Sequence, residues 1–449
     1  MDILCRNTQN SAKSPMNGWV ALSPLFVFLG LYLISSVAAG DFYAIPISAT
    51  FLIASVYAVC ISRGRSLDSK IEIFSRGAGD KNVLLMIWIF VLAGVFAYTA
   101  KEIGAIDATV NVALRILPGR FLYAGLFIAS CFISMAVGTS VGTIVALVPV
   151  AAGIAGETGL GIPFITGIIV GGAFFGDNLS FISDTTIAAT KTQDCSMADK
   201  FKANFRIALP AALIVTVLYV VLGSGVDVVP ETRPVELMKL LPYILVIVLA
   251  LSHMNVAAIL TLGILCNLLI GFTSGSLGWT SFLVSAGKGI AGMGDLIIVT
   301  MLAGGMLETI RENGGLDFIV KGLTRHIKGT RGAEFTIAAI VSIANICTAN
   351  NTIAIITTGQ IAKDISGKFG LQPRRVASLL DTFSCLIQGI IPYGAQLLMA
   401  SGLAGISSVS IIGNLYYPFI MGFCAVMSIL LPFHSKKSAN KKGNHGVND

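Results

Sequence analysis

The amino-acid sequence predicts an all-α integral membrane protein made of two inverted repeats. Each repeat is expected to hold five transmembrane helices plus one re-entrant helical hairpin, with discontinuous helices meeting at mid-membrane. Three observations predict this: an apolar composition, two apolar stretches that break at polar tips, and motifs that recur in the second half. Of 449 residues, 55% are hydrophobic and only 12% charged, against ~25% charged in soluble domains. Mean hydropathy is +0.84. The 48 glycines suit helices that pack closely or are interrupted in lipid. The eight cysteines lack the close paired spacings of zinc or redox sites and read as reduced packing thiols. A formal charge of +7 does not mark a nucleic-acid binder, because the basic residues are scattered between apolar runs without interleaved aromatics.

Apolar runs near the ~20 residues that cross a bilayer occur at 19–38, 42–61, 83–100, 162–189, 207–222, 237–251, 255–272, 296–310, 377–400 and 411–431. Those runs are read as ten spans. The stretches 121–155 and 335–365 break at Gly138-Thr139-Ser140-Val141-Gly142-Thr143 and Thr348-Ala349-Asn350-Asn351-Thr352. Arms of roughly 12–17 residues would reach only about 18–26 Å, so both stretches are read as re-entrant hairpins. Sorting the 30 Lys and Arg by loop puts 24 on one side and 6 on the other, which predicts that both termini are cytoplasmic. The expected organisation is a cytoplasmic segment 1–18, a first repeat 19–222, an external linker 223–236, a second repeat 237–432 and a basic cytoplasmic tail 433–449.

The halves match at shifts of 209 to 218: Leu22-Ser23-Pro24 with Leu240-Leu241-Pro242, Gly104–Asp107 with Gly314–Asp317, Gly142-Thr143-Ile144 with Asn351-Thr352-Ile353, and Gly159-Leu160 with Gly370-Leu371. Each half reads as two spans, an amphipathic connector (66–78 and 276–290), a third span, a hairpin and two more spans. An odd number of spans per half forces the halves to be inverted, the recurring design of secondary transporters. Duplication also occurs in channels, which stay a second class here.

The densest polar cluster inside an apolar run is Gly176-Asp177-Asn178-Leu179-Ser180-Phe181-Ile182-Ser183-Asp184-Thr185-Thr186. Each central Asp costs roughly 2.5–3.5 kcal/mol to insert, so the pair calls for an ion, a proton or water. Unwinding around Gly176 would add free carbonyls, and carboxylate, hydroxyl, amide and carbonyl oxygens suit a hard cation such as Na+. Asp177 and Asp184 are therefore the expected Na+ ligands, with Asn178, Ser180, Ser183 and Thr185 beside them. A loop between short spans, with Asp184 as an N-cap, is the plainer reading. In the matching span of the second half, Asp381, Ser384 and Gln388 precede the kink formers Gly389, Pro392 and Gly394; a salt bridge from Asp381 to a nearby arginine is the alternative for that carboxylate. The hairpin tips offer Thr139, Ser140 and Thr143, and Asn350, Asn351 and Thr352, as oxygen ligands or as helix caps. His253, His326, His434 and His445 fall in loops or the tail. Gly292-Met293-Gly294-Asp295 fits the G-x-G-D pattern of intramembrane aspartyl proteases, but no Tyr-Asp pair supplies the second aspartate, so no enzyme is expected.

Gly172-Ala173-Phe174-Phe175-Gly176-Asp177-Asn178-Leu179-Ser180-Phe181-Ile182-Ser183-Asp184-Thr185-Thr186 resembles the NhaC-type sodium/proton antiporter signature G-A-x-x-G-D-x-x-S-P-x-S-D-T-T, departing from it at Phe181. Asp381-Thr382-Phe383-Ser384-Cys385 with Gln388–Gln396 is similar to the family's other motif. The resemblance implies a secondary transporter of a bacterial inner membrane, with an elevator-like mechanism, transported Na+ and H+, and no bound cofactor. The family's relatives leave a Na+- or H+-coupled carrier of a small organic acid or amino acid as the alternative. The partners implied are the lipid bilayer and a small inorganic cation or organic solute, with no nucleic acid; a homodimer is among the assemblies open to it.

Overall fold

The computed structural model describes residues 16–39, 45–116, 119–180, 183–225, 236–252, 254–325 and 327–431. The expected linker, most of the N-terminal segment, the basic tail, Phe181 and all four histidines lie outside or largely outside the described residues. Among those described, regular structure is entirely helical. The first half holds α1 (Gly18–Ala39), α2 (Ile47–Ile61), α3 (Leu67–Ala78), α4 (Lys81–Glu102), α5 (Ala105–Ile116), α6 (Leu122–Val137), α7 (Ser140–Thr158), α8 (Ile162–Leu179), α9 (Asp184–Thr192) and α10 (Met197–Gly223). The second holds α11 (Leu241–Leu251), α12 (Val256–Ser274), α13 (Trp279–Gly292), α14 (Gly294–Glu312), α15 (Gly315–Thr324), α16 (Gly329–Thr348), α17 (Asn351–Phe369), α18 (Pro373–Ile390), α19 (Ala395–Ala404), α20 (Ser408–Ile412) and α21 (Tyr416–Leu430).

Nine helical segments among the described residues are long and apolar enough to cross a membrane. Seven coincide with expected spans, and the other two are α6, with the turn before it, and α7, the arms of the first expected hairpin. The remaining three expected spans are the shorter apolar segments Ile47–Ile61, Leu237–Leu249 and Tyr416–Leu430. Three of the four arms are longer than the sequence suggests, 19 residues for α7 and 20 and 19 for α16 and α17, while α6, with 16, falls within the expected length. Polar residues at the outer ends, such as Gly329-Thr330-Arg331 and Lys363–Phe369, hid the full length of α16 and α17 from a reading by hydropathy. The amphipathic connectors are α3 and α13. A second short pair, α5 and α15, reads as loop by hydropathy, because a charged face keeps both below the value of a span.

From the hairpin onward the two halves keep one offset of 211: Ser140 with Asn351, Ile162 with Pro373 and Asp184 with Ala395 each begin a helix. The motif match of Gly142 with Asn351 was thus two residues out of register. The left-handed positions recur too, Gly138 with Ala349 and Gly159 with Gly370.

Two groups of helices result. In one, α3 packs on α14 and α4 on α13, while α2 packs on α14 and α12 on α4. Glycine makes these crossings possible: a Cβ on Gly94 would sit 2.3 Å from Gly289 O, and one on Gly77 would sit 2.4 Å from Gly304 O. In the other group, α8 lies between the arms α6 and α7, α18 lies between α16 and α17, and α10 and α21 pack against each other and across both interrupted helices.

Candidate ion-binding site

Helix α8 does not unwind at Gly176. It runs on to Leu179, and Gly176 instead allows close approach, since a Cβ there would lie 2.1 Å from Ser134 Oγ. Ser130 and Ser134 of α6 donate to Ile169 O and Ala173 O of α8 (2.7 and 2.6 Å). Helix α8 ends at Leu179 with Ser180 as its C-cap, and the next helix starts under an N-cap by Ser183, whose Oγ accepts from Thr186 N. Carbonyls in the last turn of α8 lose their helical donors at such an end and collect side chains instead. Ser183 Oγ donates to Asp177 O (3.1 Å), Thr186 Oγ1 donates to Ser180 O (2.8 Å), and Ser183 Oγ lies 3.2 Å from Thr185 Oγ1.

Asp177 is buried, and its Oδ1 accepts the backbone N–H of Ser140 (2.9 Å). The tip of the first hairpin therefore reaches the break. Among the described residues no cationic side chain pairs with Asp177. Asp184, its expected partner, is exposed at the first turn of α9 and makes no described hydrogen bond or ion pair, so the two carboxylates do not share one enclosed cage.

The second break, from Ile391 to Gly394, lies beside the first. Gln388 stands at the offset position of Asp177 and donates to Ala349 O at the second hairpin tip (3.1 Å) and to Gln396 Oε1 (2.9 Å); Gln396 donates to Ser140 Oγ (3.1 Å). A chain of hydrogen bonds thus runs from the second tip across the second break to Ser140 of the first tip, whose N–H continues it to Asp177. Asn345 donates to Ser384 O (2.6 Å), repeating the contact of Ser134 with Ala173. Asn351 is buried near Cys385 and Asn350 caps α17, while the buried Thr143 donates within the first tip to Thr139 O, and no tertiary hydrogen bond is described for Thr352.

Asp381, seven residues before Gln388 in α18, does not pair with arginine; Arg375 pairs with Glu334 instead (2.9 Å). Its partner is Lys200 of α10, at 2.6 Å, with both side chains almost wholly buried. Lys200 Nζ also donates to Asn178 O (2.9 Å) and Thr186 Oγ1 (2.6 Å). Asn204, one turn along, donates to Asp381 Oδ2 (2.6 Å) and Asn178 O (2.9 Å). Hydropathy places Lys200 among the 24 loop cations, because α10 begins ten residues before its apolar run and its first turns read as a charged loop.

A cavity of about 270 Å³ opens between the glycine-packed frame and the second tip. Thr348, Ala349, Asn350 and Tyr393 line its inner end, and Arg76, Asp80, Glu308 and Arg311 its mouth. Arg76 and Arg311 both pair with Glu308 there.

The chain is similar to known proteins along most of its length. It is 26% identical to a Na(+)/H(+) antiporter NhaC of Bacillus subtilis over 80% of this chain and 85% of the relative. It is 23% identical to a malate-2H(+)/Na(+)-lactate antiporter of the same organism over 90% and 92%, and 22% identical to an arginine/ornithine antiporter of Halobacterium salinarum over 81% of each. The profile of the Na+/H+ antiporter family matches residues 8–224 and 234–436, so the chain belongs to that family.

Proposed function

We propose that the chain exchanges Na+ for H+ across the bacterial inner membrane, with Asp177 as the carboxylate that holds either cation. One observation carries the reading: of the two buried aspartates, Asp381 has the ammonium of Lys200, whereas Asp177 has no cationic partner among the described residues. An uncompensated buried charge costs several kcal/mol, so Asp177 requires a mobile cation or a proton. Ser183 and Thr185 hydroxyls, Asn178, Ser180 and the carbonyls of the last turn of α8 supply the remaining oxygens. Asp184, exposed nearby, draws cations toward the break. Competition for one carboxylate couples the two ions, because Na+ and H+ cannot occupy it together.

The constant offset of 211 and the crossed pairing of α3 with α14 and α4 with α13 support an inverted repeat. The tips of both hairpins reach helix breaks, which supports re-entrant hairpins that stop at mid-membrane. Division into a glycine-packed frame and a group bearing both breaks fits elevator-like movement. Both termini then face the cytoplasm, and a cysteine introduced at position 226 should react with an impermeant probe only from outside.

A second reading, coupled transport of a small organic acid or amino acid, is favoured by the cavity, whose 270 Å³ exceeds what a bare cation needs, and by what two of the relatives are named for. Proteoliposomes loaded with a pH-sensitive dye decide between them. A Na+ gradient alone should drive proton movement in the wild type and not in a folded Asp177→Asn protein. A strict requirement for an organic solute would select the second reading, and wild-type exchange by Asp177→Asn would sink the first.

A further inference from the structure

Lys200 is placed as a ligand-bound cation would be. Its ammonium has three N–H donors, and three oxygens of different kinds meet them: carboxylate Asp381 Oδ2, carbonyl Asn178 O and hydroxyl Thr186 Oγ1, at 2.6, 2.9 and 2.6 Å. Asp381 Oδ1 and Asn204 Oδ1 are buried beside them with no donor among the described residues. This is an oxygen-rich pocket of the kind that holds a hard cation, and an amino-acid side chain fills it. Stability does not account for it, since a buried ion pair gains little or nothing over apolar residues of similar volume.

We propose that the Lys200 ammonium is a tethered cation occupying a second cation site, built around Asp381, and that it thereby limits the protein to one mobile cation at Asp177. The proposal rests on the reading of Asp177 above. With Lys200 in place, the Asp177, Asp381 and Lys200 group is neutral when Asp177 holds one Na+ or one H+, so either loaded form can cross a low-dielectric region without net charge. Without it, Asp381 becomes a second uncompensated carboxylate and takes a second Na+.

Methionine at position 200 is the sharp test, because its unbranched side chain replaces the lysine stem and leaves the Nζ position empty. Binding of radiolabelled Na+ to purified protein should give one ion per chain for the wild type, two for Lys200→Met, none for Asp177→Asn, and one for the double variant Asp177→Asn/Lys200→Met. One ion in folded Lys200→Met, with none in that double variant, would overturn the proposal. Persistence of an ion in Asp177→Asn alone would instead overturn the Asp177 reading, while the gain of an ion on changing Lys200 still judges the lysine. Where Lys200→Met fails to fold, the neutral pair Lys200→Met/Asp381→Asn decides. Asp381→Asn alone leaves an unpaired ammonium near Asp177 and should weaken Na+ binding at least about tenfold; the neutral pair should restore it, and failure to restore it in folded protein would overturn the proposal.

Discussion

The two helix breaks share one frame and differ in charge. Around α8 and α9 the sequence supplies a carboxylate at 177, hydroxyls at 183, 185 and 186, and a Gly138 tip. Around α18 and α19 the equivalent positions hold Gln388, then Gly394, Gln396 and Leu397, and an Ala349 tip. The helices laid across them differ in the same sense: α10 brings Lys200 and Asn204 to α18, whereas α21 brings the thioether of Met421 to Asn178 of α8 at 3.0 Å. A doubled architecture thus gives two nearly equivalent packings, and the side chains at equivalent positions assign the mobile charge to one of them. In the other, the charge is already met by a protein cation, and the polar side chains that flank the break, Gln388 and Gln396, are amides.

Moving the charge is the strongest way to break this comparison. The swap Asp177→Gln/Gln388→Asp keeps the composition of the site and transfers the carboxylate to the amide half. Exchange should fall by more than about 100-fold, since the hydroxyl-lined break no longer faces a carboxylate; that loss corresponds to about 2.7 kcal/mol. Proton flux driven by a Na+ gradient checks it. Wild-type flux from the swap would mean that the two breaks are interchangeable.

The bridge between the breaks is next. Gln396→Leu removes the link from Gln388 to Ser140 and leaves a buried amide N–H without its acceptor, a cost of about 1–3 kcal/mol. Because Ser140 also donates its N–H to Asp177, the apparent Na+ affinity should weaken about tenfold. Unchanged affinity would show that the two tips work independently.

A smaller effect is expected of Asp184→Asn. The side chain is exposed, so its influence on the approaching cation is screened by salt. Exchange should be about two- to threefold below wild type at low ionic strength, and the difference should close when choline chloride is added, because screening removes the wild-type advantage. Complete loss at all salt concentrations would return Asp184 to a shared site with Asp177.

How much of this was legible in the sequence depends on distance along the chain. Asp177, the tips and both breaks announced themselves locally, as polar residues interrupting apolar runs. The relation of Asp177 to Gln388 was obscured by a match of Thr-Ile pairs, whereas helix starts fix the register. Lys200 was illegible, because it stands beside Asp199 and Lys202 in what reads as a solvated charge run. Only the tertiary approach of α10 to α18 removes it from water. For Asp381 the sequence offers a cation-site role with a salt bridge as the alternative, and proximity along the chain points that bridge to Arg375; the fold instead gives Asp381 to Lys200 and Arg375 to Glu334.

The tips offer the finest test of equivalence. Gly138 has φ 78° and Ala349 has φ 49°, so both sit in the left-handed region, and only one is glycine. A Cβ in that region costs roughly 1–2 kcal/mol. Ala349→Gly should relieve most of that cost, while the added freedom of glycine in the unfolded chain returns about 0.4–1 kcal/mol. The net gain should be below about 1 kcal/mol. Gly138→Ala carries both terms with opposite sign and should destabilise by a similar amount or slightly more, given that φ 78° lies further from the left-handed minimum near 57°. Thermal unfolding of the two detergent-solubilised variants, each against wild type, measures the pair. The backbone amides of both positions bond four residues back, to Ser134 O and Asn345 O at 2.9 and 2.8 Å, so neither substitution removes a hydrogen bond and the comparison isolates the Cβ. Opposite small shifts would show that the tips are conformational equivalents. A destabilised Ala349→Gly would mean that the alanine methyl does packing work at the cavity wall that Gly138 has no counterpart for, and the likeness of the two hairpins would then end at the backbone.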